Sequence, residues 1–211
     1  MRLHILVEGP SDAAFLRVWL PRFLPRHSFK IIAHEGKGKL PAQPLERPAP
    51  RRTGLLDLLP ATLRAFGLSL DPATDRVLVL IDLDHDSCLD LKSRLLGVLD
   101  TCHPRPVTLF RFAIEESEAF YLGDENAVRR AFPQAKLYRM NDYIQDSICG
   151  TWELFQRVIG AASEDKPEWG RRMAHHLGTE WTGPGANRSP SFRQFCRALR
   201  SLAGEPVEEP R

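Results

Sequence analysis

Two short apolar runs, each followed directly by acidic residues, most constrain what this chain can fold into. Residues 3–7 read Leu-His-Ile-Leu-Val and lead into Glu8, and residues 76–81 read Arg-Val-Leu-Val-Leu-Ile and lead into the acidic segment 82–86. Runs of this length and composition are typical of buried β-strands. A carboxylate beside a buried strand costs free energy unless a cation uses it. The pattern therefore predicts that both strands deliver acids to a single metal centre.

Four candidate strands alternate with helical patterns in the first part of the chain. The strand candidates are residues 3–7, 29–33, 76–81 and 107–114. Helices are predicted at 12–20, at 54–66 and after a capping box formed by Ser87 and Asp90. We expect Ser11 to cap the first helix and Pro21 to stop it. Continuous apolar strands separated by helices predict an α/β, Rossmann-like fold, with a mainly parallel four-stranded sheet covered by helices on both faces.

The pattern changes after Gly123, where helical stretches follow one another without a convincing strand. They fall at about residues 125–132, 151–161, 167–177 and 190–201. Ser189 is the predicted N-cap of the last helix, and Pro190 its first residue. We therefore divide the chain into an α/β part at 1–123, a helical extension packed on it at 124–201, and a tail at 202–211. The Pro- and Glu-rich composition of the tail predicts disorder.

Composition fits an ordinary globular protein. Hydrophobic residues make up 43% of the 211 residues and charged residues 27%, and the formal net charge is +2. No apolar stretch approaches the roughly 18–20 residues of a transmembrane helix, and the N-terminus does not resemble a signal peptide. We therefore expect a cytoplasmic protein without a membrane partner. The four cysteines form no Cys-x-x-Cys pair, which predicts reduced thiols and disfavours a zinc site.

Acidic residues follow three of the four predicted strands. Besides Glu8 and the segment 82–86, Glu115, Glu116 and Glu118 follow the strand at 107–114. Ligands of open parallel sheets bind at the carboxyl ends of the strands, so these acids are expected to share one edge. Carboxylate oxygens suit Mg²⁺, and such ions typically act on phosphates. For Glu115 and Glu116 we favour a solvated face beside one real ligand.

The order of these motifs resembles the TOPRIM domain. A strand followed by Glu8-Gly-x-Ser-Asp12 and a helix, and later a strand followed by Asp82-x-Asp84, is similar to this domain of topoisomerases, primases, small RNA-maturation nucleases and overcoming-lysogenization-defect (OLD) nucleases. The resemblance implies that Glu8 binds metal or acts as a general acid or base. It also implies that Asp82 and Asp84 bind Mg²⁺ (or Mn²⁺). The chain is short for a topoisomerase or a primase, which disfavours both.

A second resemblance covers almost the whole chain. The stretches 34–38 (HEGKG), 118–124 (EAFYLGD), 166–167 (KP) and 187–192 (NRSPSF) are similar to a bacterial family, DUF4276, that is filed as uncharacterised. The likeness implies that Glu118 is the third acid of the metal site. Asp12 and Asp86 are either outer ligands or helix caps. Members of that family are often associated with ATPases of the ABC or SMC type in settings that suggest anti-phage defence, which implies such a partner here.

Basic residues near the acidic edge have two interpretations. A breaker-rich loop at 36–53 carries Lys37, Lys39, Arg47, Arg51 and Arg52. These residues either bind the phosphates of a nucleic acid or form a solvated surface. Arg188 is a further candidate for phosphate binding, and Lys166 either contacts a scissile phosphate, as in related nucleases, or is a surface charge. For His34 and His85 we favour hydrogen-bonding roles over proton transfer.

Two hypotheses of function, from different classes, follow from these patterns. The first is an Mg²⁺-dependent nuclease that hydrolyses phosphodiester bonds of DNA or RNA, with Glu8, Asp82, Asp84 and Lys166 as catalytic residues. The second is a catalytically weak or inactive subunit on a TOPRIM-like scaffold, which binds nucleic acid or has a regulatory role and works through an ATPase partner. A homodimer is compatible with either. The chain has no P-loop motif, so we do not expect it to be a P-loop ATPase itself.

Overall fold

The computed structural model of the chain describes residues 1–45 and 51–207. Arg47 of the predicted basic loop and residues 208–211 of the predicted tail lie outside these described residues. Within the two ranges, none of the helices is long and apolar enough to cross a membrane.

A sheet of four parallel strands forms the centre of the fold, in the spatial order β2-β1-β3-β4. The strands are β1 (Arg2–Val7), β2 (Ser28–Ala33), β3 (Asp75–Asp82) and β4 (Thr108–Ala113). Ile5 of β1 is paired with Ile31 of β2 on one side and with Leu78 of β3 on the other. All three strand pairings are parallel. The structure thus confirms the predicted α/β fold and places β1 and β3, which carry the acidic ends, side by side.

Side chains from the two central strands alternate between two apolar cores. On one face, Leu6 and Val79 pack with the helices α2 (Leu55–Ser69) and α3 (Cys88–Asp100). On the other face, residues such as Ile5 and Leu80 pack with α1 (Pro10–Phe23) and α8 (Pro190–Ala203). Both faces of the strands are therefore buried, which explains why the strands read as continuous apolar runs.

Helix α1 differs from its prediction at both ends. Its N-cap is Gly9, so Ser11 lies inside the helix and the prediction that Ser11 caps it is wrong. Pro10 takes the first position, where a missing amide hydrogen costs nothing because that group has no helical partner. Pro21 lies within the last turn instead of ending the helix, which continues to the buried Phe23. Burial of the apolar face outweighs the cost of this proline.

Five helices follow β4 in the described part of the chain. They are α4 (Glu118–Leu122), α5 (Glu125–Ala131), α6 (Thr151–Ile159), α7 (Lys166–His176) and α8, with a 3₁₀ turn at Leu137–Met140. In the described part of the chain no strand follows β4. The hydroxyl of Ser189 accepts a hydrogen bond of 3.1 Å from the amide of Phe192, as predicted for an N-cap. The ring of Phe192 lies 5.2 Å from that of Trp19 in α1, so the extension shares one core with the α/β part.

Helix α8 runs past residue 201, the end predicted for it. Leu202 and Ala203 are buried and complete its apolar face, and Gly204 then ends the helix in the left-handed conformation. The carboxylate of Glu205 lies 3.1 Å from the ring of His27 and accepts a hydrogen bond of 3.2 Å from Arg200. The first residues of the predicted tail are therefore anchored to the body of the protein.

Candidate metal centre

The acidic ends of β1 and β3 meet at the carboxyl edge of the sheet. Glu8 follows the last residue of β1, and Asp82 is the last residue of β3. Oε1 of Glu8 accepts a hydrogen bond of 2.9 Å from the backbone amide of Asp82. The two strand ends that the sequence predicts to share a site are therefore joined directly.

Two further acids of the predicted site are buried near this junction. Asp12, in the first turn of α1, is 5% exposed, and Glu118, the first residue of α4, is 3% exposed. The hydroxyl of Ser117 bonds to the carboxylate of Asp12. Among the described residues, however, none donates a hydrogen bond to Oδ1 of Asp12. A buried carboxylate oxygen without a donor is costly, and a cation would satisfy it.

The acids of this group raise one another's pKa values. Burial raises the pKa of Glu8 to about 8 and that of Glu118 to about 7. Burial of the Asp82 carboxyl holds its pKa well above the usual value, and repulsion from Asp12, Glu8 and Glu118 adds to this shift. Loss of water and like charges at short range both disfavour ionised carboxylates. We define Glu8, Asp12, Asp82 and Glu118 as the acidic cluster.

Lys166 lies beside the acidic cluster. It is the first residue of α7, and its Nζ lies 3.6 Å from Oε1 of Glu116 and 4.6 Å from the ring centre of Trp152. Although burial raises the pKa values of Asp12 and Glu118, the positive charge of Lys166 acts to lower both. The structure thus brings this lysine, distant in sequence, to the carboxyl edge.

Asp84 and Asp86, two other predicted ligands, are engaged by Lys37. The Nζ of Lys37 lies 2.8 Å from Oδ2 of each aspartate and 3.1 Å from the carbonyl oxygen of Leu83. Lys37, which was predicted to bind phosphate, therefore forms ion pairs with acids of the same chain. Lys37, Asp84 and Asp86 form a group of their own, distinct from the acidic cluster.

Glu115 and Glu116 do not form the solvated face that we favoured, and that interpretation is wrong. Glu115 is buried, and its Oε2 accepts hydrogen bonds of 2.9 Å from the amide and 2.7 Å from the hydroxyl of Thr151. The amides of Cys149 and Gly150 also donate to it. Glu116 is half-buried and accepts from the amide of Trp152 at 3.2 Å. Both glutamates therefore satisfy the free amides at the start of α6.

The other predicted basic residues and histidines lie outside the acidic cluster. Lys39 and Arg51 are exposed, Arg52 lies 3.6 Å from Asp57, and Arg188 pairs with Glu125. In the described ranges, none of these four basic residues pairs with an acid of the cluster. Nδ1 of His34 lies 2.9 Å from the carbonyl oxygen of Val7, the hydrogen-bonding role predicted for it, and His85 is exposed.

A comparison with protein families identifies the family of this chain. A family model described as a domain of unknown function, DUF4276, matches residues 7–200. The chain belongs to the DUF4276 family. The matched range of DUF4276 runs from the end of β1 into α8, and it includes the acidic cluster, Lys37 and Lys166. No curated protein and no solved structure matches the chain.

Sequence reasoning missed two polar side chains of the candidate site. Ser117 bonds to Asp12, and Tyr121 is buried, with a pKa that burial and the charges of Glu118, Asp12 and Asp82 hold well above its usual value. Tyr121 lies three residues after Glu118 in α4, so the helical period places both on one face. That spacing is the signal that could have identified the tyrosine.

The donor chemistry of the acidic cluster fits a hard divalent cation. All of its candidate ligands are carboxylate oxygens, which Mg²⁺ and Mn²⁺ accept. The raised pKa values show that ionised carboxylates are disfavoured in the metal-free cluster, and a cation would stabilise the ionised forms and satisfy Oδ1 of Asp12. Across residues 1–45 and 51–207, no three Asp, Glu, His or Cys side chains are arranged to hold an ion as they stand. If the acidic cluster binds an ion, its side chains would have to move to form a ligand set.

Proposed function

We propose that this DUF4276 protein is a divalent-metal-dependent nuclease that hydrolyses phosphodiester bonds in DNA or RNA. The observation that carries the proposal is the junction of Glu8 with Asp82, beside the buried Asp12 and Glu118. A cluster of buried acids is costly in an apoprotein and becomes favourable when it binds a cation. Metal centres of this ligand type commonly act on phosphate esters.

The proposal includes a relationship to TOPRIM domains and to OLD-type nucleases. It is supported by the order of the motifs, in which Glu8 follows β1 and Asp82 ends β3 of a parallel sheet. This chain departs from the TOPRIM pattern at the second aspartate, because Asp84 is bound by Lys37. We therefore favour Asp82 over Asp84 as a metal ligand.

Four carboxylates would hold the ion: those of Glu8, Asp12, Asp82 and Glu118. A bound Mg²⁺ or Mn²⁺ would supply positive charge against the scissile phosphate. Because Oε1 of Glu8 accepts the amide of Asp82, Oε2 is the oxygen that remains to bind the ion or to take a proton from water. Lys166 stands at the rim of the cluster, where its ammonium group would contact a phosphate oxygen.

Binding of the nucleic acid would use exposed basic residues around this edge. Lys39, Arg51, Arg52 and Arg188 are the candidates, and their contacts with phosphates would be independent of sequence. An ATPase partner, a role in anti-phage defence and a homodimer extend the proposal on the strength of the family resemblance alone.

A regulatory subunit without catalysis is the second candidate function. Two observations favour it. Lys37 already neutralises Asp84 and Asp86, and the acidic cluster needs side-chain movement before it can close around an ion. In this case the site would bind a metal or a nucleic acid as a signal, and a partner ATPase would carry out the chemistry.

A cleavage assay separates the two candidates. Supercoiled DNA, linear DNA and RNA are each incubated with the purified protein and Mg²⁺ or Mn²⁺, beside the variants Glu8→Gln and Asp82→Asn. Glu180→Gln, which removes an exposed acid, is the matched control. We expect wild type and the control to cut and the two site variants to lose at least about 100-fold of the activity. Metal binding without cleavage of any substrate favours the regulatory subunit.

A further inference from the structure

The ammonium group of Lys37 lies between three oxygen atoms of one turn of chain. It is 2.8 Å from Oδ2 of Asp84, 2.8 Å from Oδ2 of Asp86 and 3.1 Å from the carbonyl oxygen of Leu83. The side chain of Lys37 is 15% exposed. Two carboxylates and one carbonyl around a single positive charge are the ligand chemistry of a hard cation.

The backbone that carries Lys37 is fixed on both sides. The amide of Gly36 donates to the carbonyl oxygen of Glu8 at 2.8 Å, which ties this segment to the end of β1. The carbonyl oxygen of Lys37 accepts a hydrogen bond of 2.7 Å from the amide of Leu56, in the first turn of α2. Lys37 is therefore held in place and is not a freely moving surface side chain.

The acidic turn that faces Lys37 is equally constrained. The amide of Asp84 donates to the carbonyl oxygen of Glu115, and that of Asp86 donates to Leu83, both at 2.9 Å. Asp84 has a φ of +49°, in the left-handed region that residues other than glycine rarely adopt. Residues in such conformations are retained where the surrounding structure imposes them, and often at functional sites. The oxygen atoms around Lys37 are thus preorganised.

We propose that the ammonium of Lys37 is a built-in cation that takes the place of a second divalent ion beside the acidic cluster. Asp84 and Asp86 would bind that ion if the lysine were absent. The positive charge at this position then does not depend on the concentration of metal. The inference rests on the proposed function only for the first ion, which the acidic cluster would bind.

The number of Mn²⁺ ions bound per chain tests the proposal. It is measured by equilibrium dialysis for wild type and for Lys37→Met, which removes the charge and keeps the length of the side chain. We expect Lys37→Met to bind one Mn²⁺ more than wild type, and the added change Asp86→Asn to weaken that extra site at least tenfold. Lys37→Arg, which keeps the charge, and Lys39→Met, an exposed neighbour, are expected to match wild type.

Two results overturn the proposal. One is an equal number of Mn²⁺ ions bound by wild type and by Lys37→Met. The other is two Mn²⁺ ions bound by wild type, because a second ion would then bind while Lys37 is present. A wild-type count of zero with one ion in Lys37→Met supports the role of Lys37 and contradicts the metal centre of the proposed function. A wild-type count of one with two in the variant supports both. Thermal unfolding of each variant verifies that the counts refer to folded protein.

Discussion

The backbone amide of Asp82 donates a hydrogen bond of 2.9 Å to Oε1 of Glu8. This bond joins the carboxyl ends of the two central strands, and it lowers the pKa of Glu8 less than burial raises it. The result is a carboxyl group with a pKa of about 8 at the edge where the other acids of the cluster converge. Around neutral pH the metal-free cluster therefore retains protons that a cation would displace.

We predict that the metal-free protein loses stability as the pH rises from about 5 to about 8. In the folded chain the pKa of Glu8 is raised from 4.5 to about 8, so the folded state binds this proton more tightly than the unfolded state does. Each such group lowers the free energy of unfolding by up to ~1.4 kcal/mol per pH unit between its two pKa values. Glu118, with a pKa of about 7, acts with the same sign.

Urea unfolding between pH 5.5 and pH 7.5 in the presence of EDTA measures this slope. The variant Glu8→Gln cannot ionise at this position, so its free energy of unfolding should fall less steeply than that of wild type. Glu180→Gln, which changes an exposed acid, should keep the wild-type slope. The same slope in Glu8→Gln and wild type would contradict the assignment.

Lys166→Met is expected to separate catalysis from metal binding. If Lys166 contacts the scissile phosphate, its loss lowers the cleavage rate by roughly 10²–10³-fold, the usual effect of removing one electrostatic contact to a transition state. Binding of Mn²⁺ should be unchanged or tighter, because a positive charge beside the acids is removed. Lys92→Met, on the exposed face of α3, serves as the control. Weaker Mn²⁺ binding in Lys166→Met would instead indicate a structural role.

Glu115→Gln should destabilise the protein by about 2 kcal/mol, because hydrogen bonds to a charged group contribute ~1.5–3 kcal/mol. The carboxylate of Glu115 accepts several donors at the start of α6, and the amide group of glutamine offers only one acceptor oxygen. Urea unfolding of Glu115→Gln, Thr151→Val and the double variant measures the coupling. Strictly additive effects of the two changes would show that the contact contributes nothing.

Gly170→Ala should destabilise the protein by ~1–3 kcal/mol through overpacking. A methyl group at Gly170 of α7 would lie 3.0 Å from the carbonyl oxygen of Ser11 and 3.1 Å from Oη of Tyr121. The matched control is Gly97→Ala in α3, where nothing lies within 4 Å of the added atom. This change should stabilise by ~0.5–1 kcal/mol through helix propensity alone. Thermal unfolding compares the two, and equal effects would refute close packing of α1 on α7.

The sheet and the meeting of Glu8 with Asp82 could be predicted because they follow from local patterns. Apolar runs identify strands, and parallel order brings their carboxyl ends to one edge. The position of Glu118 at this edge also follows from the strand order, but its choice over Glu115 and Glu116 as a ligand, like the role of Lys166, came from the family resemblance. In the structure Glu118 is a member of the acidic cluster and Lys166 lies beside it.

The pairing of Lys37 with Asp84 and Asp86 could not be predicted from the sequence. It depends on the positive φ of Asp84 and on hydrogen bonds between segments far apart in the chain. The role of Glu115 was missed for a related reason, since it requires knowing that α6 begins next to the end of β4. An acidic residue beside a predicted strand is therefore weak grounds for choosing between ligand, cap and ion pair.

Titration with Mn²⁺ by isothermal calorimetry tests the central claim most directly, namely that Glu8 and Asp82 belong to one divalent-metal site. Wild type and the control Glu180→Gln should bind with the same affinity. Glu8→Gln and Asp82→Asn, folded by the criterion of a cooperative thermal transition, should each bind at least about tenfold more weakly, because each removes a charged ligand oxygen. Unchanged Mn²⁺ affinity in both variants, or no Mn²⁺ binding by wild type, would contradict the account.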